Sequence, residues 1–144
     1  MKTVDKIMTK EVITVFETAT FSEIKRIFDT HHFHHLPVLD FSNQLKGIVS
    51  KEDLAKASYL LTLNTTGKTY TEKEFDYISA KDIMSSYPVF LTPDDEIDLA
   101  ADVFLSNKLH ALPILEDGRL VGIVTTHDLL RYAFTEMRTG VYPS

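Results

Sequence analysis

The chain has no cysteine among its 144 residues. That excludes a disulfide, a thiolate zinc site and a thiol nucleophile. Glycine is scarce, occurring only at Gly47, Gly67, Gly118, Gly122 and Gly140. No glycine-rich loop is therefore available to cradle a phosphate. Basic residues form no run, and the formal net charge is −6. Both facts argue against a nucleic-acid partner, whose phosphates call for clustered Lys and Arg. No apolar stretch approaches the roughly 20 residues that span a bilayer, so no membrane is expected. The opening Met1-Lys2-Thr3-Val4-Asp5-Lys6 carries no signal-peptide core, which makes a cytoplasmic location the expectation. Ser, His and Asp occur without a nucleophile-elbow context, so no catalytic constellation stands out.

What is present is a soluble globular composition, 44% hydrophobic and 25% charged. A chain of this length buries roughly 68% of its unfolded surface as one domain. Its dominant feature is a repeat. Val4–Asp40 aligns without a gap onto Ala80–Glu116 at an offset of 76. Ile7-Met8 falls on Ile83-Met84, Phe28 on Phe104, His34 on His110, and Leu36-Pro37-Val38-Leu39 on Leu112-Pro113-Ile114-Leu115. One residue is lost in a turn, and Gly47–Leu54 then falls on Gly122–Leu129 at an offset of 75. Self-similarity of this kind sets the architecture before any single element is assigned. Two copies sharing a core present related surfaces, so two related sites are expected.

Each copy reads as a short helix (Val4–Thr9, Ala80–Ser85), then a short β run (Val12–Val15, Val89–Leu91). A helix follows, marked by Phe21, Ile24, Ile27 and Phe28 and by Ile97, Ala100, Ala101 and Phe104 at helical spacing. Thr20 and either Asp94 or Asp95 are the expected N-caps. Two strands come next, Leu36–Leu39 with Leu45–Val49 and Ala111–Leu115 with Leu120–Val124. They are apolar enough to be buried on both faces. The second pair is joined by Asp117-Gly118, which suits a two-residue type I′ turn. The first pair is joined by the longer Phe41–Gln44. A last helix runs from Lys51 to about Leu61, and from Thr126 to about Met137. The intervening Thr62–Tyr70 is turn-like, and Thr71-x-x-Glu74 opens a short helix, Glu72–Tyr77. The fold class expected is α/β (α+β), β-α-β-β-α twice over.

This repeat, its Leu-Pro-Val/Ile-Leu strand preceded by His-His or His-Ala, and Gly-Ile-Val-Ser/Thr-x-x-Asp-Leu resemble a tandem pair of cystathionine-β-synthase-type (CBS) domains, a Bateman module. The resemblance covers all but about Thr62–Ile78 and the tail after Arg138. It implies two pseudo-symmetric repeats packed sheet to sheet. The organisation expected is a first repeat at 1–62, a linker at 63–78, a second repeat at 79–139 and a tail at 140–144. It also implies a regulatory module rather than an enzyme, with no required cofactor. Members of the family usually bind an adenosine-containing small molecule (AMP, ADP, ATP or S-adenosylmethionine), and some bind nothing known.

The candidate site residues are weighed on their own chemistry as well. Ser50-x-x-Asp53 and Thr125-x-x-Asp128 sit where a strand meets a helix. One reading is a capping box. The other is that the short acid points outward as an acceptor for a ribose diol, beside a helix N-terminus suited to phosphate. The resemblance implies the second role for Asp53 and Asp128, with Ser50 and Thr125 serving both. His34 and His110 match a position that faces ligand phosphates in the family. The next position, often Arg there, is His35 in one copy and Ala111 in the other, which makes the two sites unequal. Val12, Ile13, Thr14, Val89 and Phe90 would line the adenine slot, by backbone recognition of the base edge and by packing on its face; the alternative reading of these runs is plain core.

His31, His32, His34 and His35 form a cluster in which His31 and His35 have the spacing of a helical metal pair. Pro37 follows, so the helix is expected to end before that geometry forms. No metal site is expected, and His31 and His32 read as a solvated helix end. The partners expected are the adenosine ligand, a target protein of unknown identity, and a second copy in a homodimer. That dimer would cover Phe21, Ile24 and Phe28, or Leu129, Leu130 and Phe134. The competing functional classes are a ligand-free dimerisation or protein-interaction module, and a metal-linked signalling domain.

Overall fold

The computed structural model describes residues 2–63 and 75–138. The chain forms two compact units, Ile13–Pro88 in one and Met1–Val12 with Val89–Ser144 in the other.

The Ile13–Pro88 unit holds β1 (Val15–Phe16), α1 (Phe21–Thr30), β2 (His35–Leu39), β3 (Leu45–Ser50), α2 (Lys51–Leu63), α3 (Ala80–Ile83) and β4 (Ser85–Ser86). Its four-stranded sheet runs β1-β2-β3-β4. β1 is parallel to β2, and the other neighbours are antiparallel. The second unit opens with one 3-10 turn, Val4–Lys6. It continues with α4 (Ile97–Ser106), β5 (Ala111–Glu116), β6 (Arg119–Thr125) and α5 (Thr126–Arg138). Its antiparallel β5-β6 pair is flanked by single bridges, Leu91 with Ile114 and Thr9 with Ile123. These occupy the places of β1 and β4.

The central three residues of β2 and of β3 are all buried, as are the first four of β5 and the tripeptide Gly122–Val124 of β6. Unbroken apolar runs, and not alternation, are what sheet cores covered on both faces require. Asp117 and Gly118 close the second hairpin at φ of 52° and 80°. Both central residues of a type I′ turn must be left-handed, and the Asp-Gly pair meets that demand. In the longer first turn, Oδ1 of Asp40 accepts from the amides of Gln44 at 3.0 Å and Ser42 at 2.8 Å. The Gln44 amide holds the Asp40 carboxyl below its ordinary value, helped against desolvation by the Ser42 amide and Lys46.

α1 starts as expected, with the Thr20 hydroxyl accepting from the Glu23 amide at 3.2 Å. α4 does not. Its N-cap is Glu96, not Asp94 or Asp95. The Asp95 carboxylate turns back to the Thr92 amide at 2.7 Å, which leaves it unable to cap the helix. The β runs are also shorter than expected. Of the first run only Val15 lies in a strand, which continues to Phe16, and Leu91 of the second makes a lone bridge. Pro93, two residues after Leu91, has no N–H with which to extend the pairing beyond it. Thr62 and Leu63 of the expected Thr62–Tyr70 turn belong to α2, which runs past Leu61; the rest of that turn, and residues 72–74 of the expected Glu72–Tyr77 helix, lie outside the described residues.

The repeat in the sequence and the unit in space have different boundaries. Thr9 exchanges both backbone hydrogen bonds with Ile123, at 2.9 and 3.0 Å. Ser85 pairs with Ile48 in the same way along the chain, one repeat later. Val4 lies in the core with Ile97, Phe104, Leu112, Ile114 and Val124. Ala80 lies in the core with Phe21, Ile24, Phe28, Leu36 and Val49. Thus the opening segment of each copy packs on the strands of the other. The two glycines of the repeated Gly-Ile-Val make room for this crossing. A Cβ on Gly47 would stand 2.6 Å from Met84 Sδ and from the Ser85 carbonyl oxygen. One on Gly122 would stand 2.5 Å from Met8 Sδ.

The burial decides between the two faces considered for a second chain. Phe21, Ile24 and Phe28 are at most 2% exposed. They are the core of their own unit and are not available to a partner, because they cluster with Leu36, Val38 and Val49 of the sheet and with Leu54 of α2. Of the second face, Leu130 and Phe134 on α5 are 69% and 57% exposed, whereas Leu129 packs against the core of its own unit. Among the described residues, no helix is long and apolar enough to cross a membrane.

Candidate functional site

The strand-to-helix junction after β3 brings His34, His35, Ser50 and Asp53 together. His35 pairs with Ser50 at the open end of the hairpin. The Lys51 amide donates to the His34 carbonyl at 2.8 Å, which fastens the first turn of α2 to the strand beside it. The Ser50 amide donates to Asp53 Oδ2 at 2.9 Å, and the Asp53 amide to Ser50 Oγ at 3.0 Å. The second unit repeats every contact. Ala111 pairs with Thr125, and the Thr126 amide donates to the His110 carbonyl at 3.1 Å. The Thr125 amide donates to Asp128 Oδ2 at 2.9 Å, and the Asp128 amide to Thr125 Oγ1 at 3.2 Å.

The capping box is therefore present at both junctions, and it uses the same carboxylate oxygen each time. Ser79-x-x-Asp82 and Thr92-x-x-Asp95 make the same amide-to-carboxylate bond elsewhere, at 2.9 and 2.7 Å. The motif as such is a local fastening. What sets Asp53 and Asp128 apart is their place at the mouth of the hairpin. The Oδ1 atoms lie outside the capping bonds, and Asp128 is held at 8% exposure.

Ile13 and Thr14 precede β1, which runs parallel to β2. They thus lie toward the sheet end where His35 meets Ser50. Val89 and Phe90 precede Leu91, whose bridge to Ile114 is likewise parallel, so they lie toward the end where Ala111 meets Thr125. Val89 and Phe90 are each 51% exposed, so neither is a core side chain of its unit. Val12 is half-buried and groups with the second unit. Tyr87, 94% exposed at φ 53°, stands two residues before Val89. No periodicity or motif marks Tyr87 in the sequence, since its exposure depends on the turn out of β4.

The histidine cluster divides as its spacing suggests. α1 ends at Thr30, and His35 already lies in β2, so His31 and His35 share no helical face. The His31 ring bonds the Ile27 carbonyl at 2.8 Å and stacks on Phe33 at 5.0 Å. It satisfies a helix-end carbonyl. Among the described residues, no three His, Asp or Glu side chains are grouped to hold a metal ion.

The model of the CBS domain matches this chain at residues 4–60 and again at 80–135. The chain belongs to the CBS domain family. The CBS pair is 30% identical over 132 residues to inosine-5'-monophosphate dehydrogenase of Methanocaldococcus jannaschii, covering 91% of this chain and 23% of that one. It is 27% identical to the A-adding tRNA nucleotidyltransferase of Geobacter sulfurreducens, covering 99% of this chain and 15% of the enzyme. It spans 46% of a further M. jannaschii relative and 23% of a homoserine O-acetyltransferase from Methanohalobium evestigatum. The chain thus spans less than half the length of these curated relatives. Among solved structures, it resembles the CBS domain pair of protein MJ0100 in complex with 5′-methylthioadenosine and S-adenosyl-L-methionine. The TM-score is 0.77 at 26% identity, over 94% of this chain and 98% of that one. It also resembles CBSX2, a protein of Arabidopsis thaliana, in complex with AMP. There the TM-score is 0.79 at 26% identity, over 96% and 100% of the two chains. The tandem CBS fold, mixed α and β with two small sheets, is common to all three.

Proposed function

We propose that this CBS pair is a regulatory module that binds an adenine nucleotide or S-adenosylmethionine and catalyses nothing itself. The observation that carries the reading is the doubled hairpin mouth, where Asp53 and Asp128 are fixed by one oxygen and keep the other outside the cap. A ribose diol is a donor pair that such an oxygen accepts with charge assistance. Ile13, Thr14, Val89 and Phe90, with Val12, supply extended backbone and apolar surface for the base. His34, His35 and His110 supply the side toward phosphate, and Ala111 removes one of those groups from the second mouth. The AMP complex of CBSX2 and the adenosine-type ligands of the MJ0100 pair support the ligand class.

Asp53→Asn and Asp128→Asn test the site, since each keeps an acceptor for the cap and removes the charge. Each is expected to weaken binding at one mouth by roughly 1.5–3 kcal/mol, the size of a charged hydrogen bond. Stability without ligand is expected to fall by about 1 kcal/mol or less, the size of a cap. Unchanged AMP affinity by calorimetry, with a larger loss of stability, makes both acids structural.

The module is further proposed to act as a homodimer. Leu99 and Leu105 on α4 and Leu130 on α5 are 43%, 86% and 69% exposed. Their repeat equivalents Glu23, Asp29 and Ala55 are polar or small. Exposed apolar side chains of this kind invite a partner, and twofold closure is the commonest solution. Light scattering at micromolar concentration is expected to give twice the 16.4 kDa chain mass. A monomer mass rejects the dimer.

A further inference from the structure

Sulfur in this chain is confined to four methionines. Two of them, Met8 and Met84, hold equivalent places in the repeat, and each seals the seam where an opening segment docks on the other copy's strands. Met8 lies over Gly122 and adjoins the Thr9–Ile123 bridge. Met84 lies over Gly47 and adjoins the Ser85–Ile48 pair. Both are half-buried and pack against the core of their unit. The fit on the glycine side is tight enough that one added carbon would stand 2.5 Å from Met8 Sδ and 2.6 Å from Met84 Sδ. An atom added to either sulfur has no room there. It must take the side away from the glycine, and both methionines keep part of their surface exposed to solvent.

We propose that Met8 and Met84 are paired oxidation sites whose conversion to sulfoxide by a peroxide loosens both docked segments. The chemistry is self-contained. A sulfur lone pair attacks one oxygen of hydrogen peroxide, the O–O bond breaks, and the thioether becomes a sulfoxide. The other oxygen leaves as water, carrying both protons. Sulfur loses two electrons and the peroxide gains them. The product is polar and rigid where a flexible apolar chain had filled the seam. Its oxygen seeks hydrogen bonds that Ile7, Val4 and the strand backbone do not offer, so the segment must lift to hydrate it. The lesion is reversible, since methionine sulfoxide reductases return the thioether.

The test treats the full chain with hydrogen peroxide and maps the added oxygen by peptide mass spectrometry. Met8 and Met84 are expected to oxidise in the native protein. The melting temperature is expected to fall by about 5 °C or more. Amide exchange at Thr9, Ile123 and Ile48 is expected to quicken by about tenfold. Reductase treatment is expected to restore both readings. The Met8→Leu and Met84→Leu double variant, close in volume, is expected to keep the native melt and lose the peroxide response. Three results overturn the proposal. Oxygen confined to Met1 and Met137 is one. Sulfoxide at Met8 and Met84 with unchanged exchange is another. An equal peroxide response in the double variant is the third. Because mapping and reductase reversal use the natural chain, the proposal stays testable if the double variant does not fold.

Discussion

AMP at 100 times its dissociation constant is expected to stabilise the native chain by about 2.7 kcal/mol. For a chain of this size that corresponds to a rise of roughly 5–10 °C in melting temperature. The effect is large because a ligand held by ribose, base and phosphate contacts binds the folded mouths and has nothing to bind in the unfolded chain. Thermal melts with AMP, ADP, ATP, S-adenosylmethionine and adenosine read it directly. The order among them reports the roles of the side chains. If His34, His35 and His110 meet phosphate, AMP outperforms adenosine. If none of the five shifts the melt at millimolar concentration, the sensing role is lost. The pair is then a ligand-free interaction module, and Asp53 and Asp128 are helix caps.

Phe28→Ala is expected to cost about 3–5 kcal/mol, the range for removing a buried ring from a packed core. Phe28 is 1% exposed and contacts Phe33 edge-on at 6.1 Å. It sits in a cluster with Ile24 of its own helix and Leu36, Val38 and Val49 of the sheet, whose close packing leaves little room to collapse into the void. The equivalent Phe104→Ala is expected to cost less. Phe104 is 9% exposed, so water already reaches its edge. Chemical denaturation with linear extrapolation compares the two. A loss below about 1 kcal/mol for Phe28→Ala contradicts the core placement, since a ring with no exposed surface has no cheaper way to be removed.

Sequence alone decides most features whose deciding interaction is local, the α4 N-cap excepted, where the equally local Thr92–Asp95 bond competes. The offset of 76 and then 75 marks two copies and the turn that separates their registers. Asp117-Gly118 specifies its own turn, because few residues adopt left-handed φ twice in succession. Thr20 caps α1 through a partner three residues away. The Ser50–Asp53 and Thr125–Asp128 pairs also close over three residues, so both site junctions were legible as capping boxes before any fold was known.

Only the tertiary structure decided the rest. The tetrapeptide Val-Asp-Lys-Ile and its counterpart Ala-Lys-Asp-Ile are near-equivalent docking segments. Nothing within either one says which copy's strands it joins. Chain connectivity and core volume choose, and they place Val4 with Leu112 and Ala80 with Leu36. The same long-range choice puts Met8 and Met84 over the two glycines, which gives the scarce glycines a reason the local pattern does not contain. Burial follows suit. Phe21, Ile24 and Phe28 have the periodicity of any amphipathic helix, whether its stripe meets its own sheet or a second chain. Leu130 has the same periodicity and is left exposed. Hydrophobic pattern fixes which residues avoid water, and the packing of distant segments fixes what they meet instead.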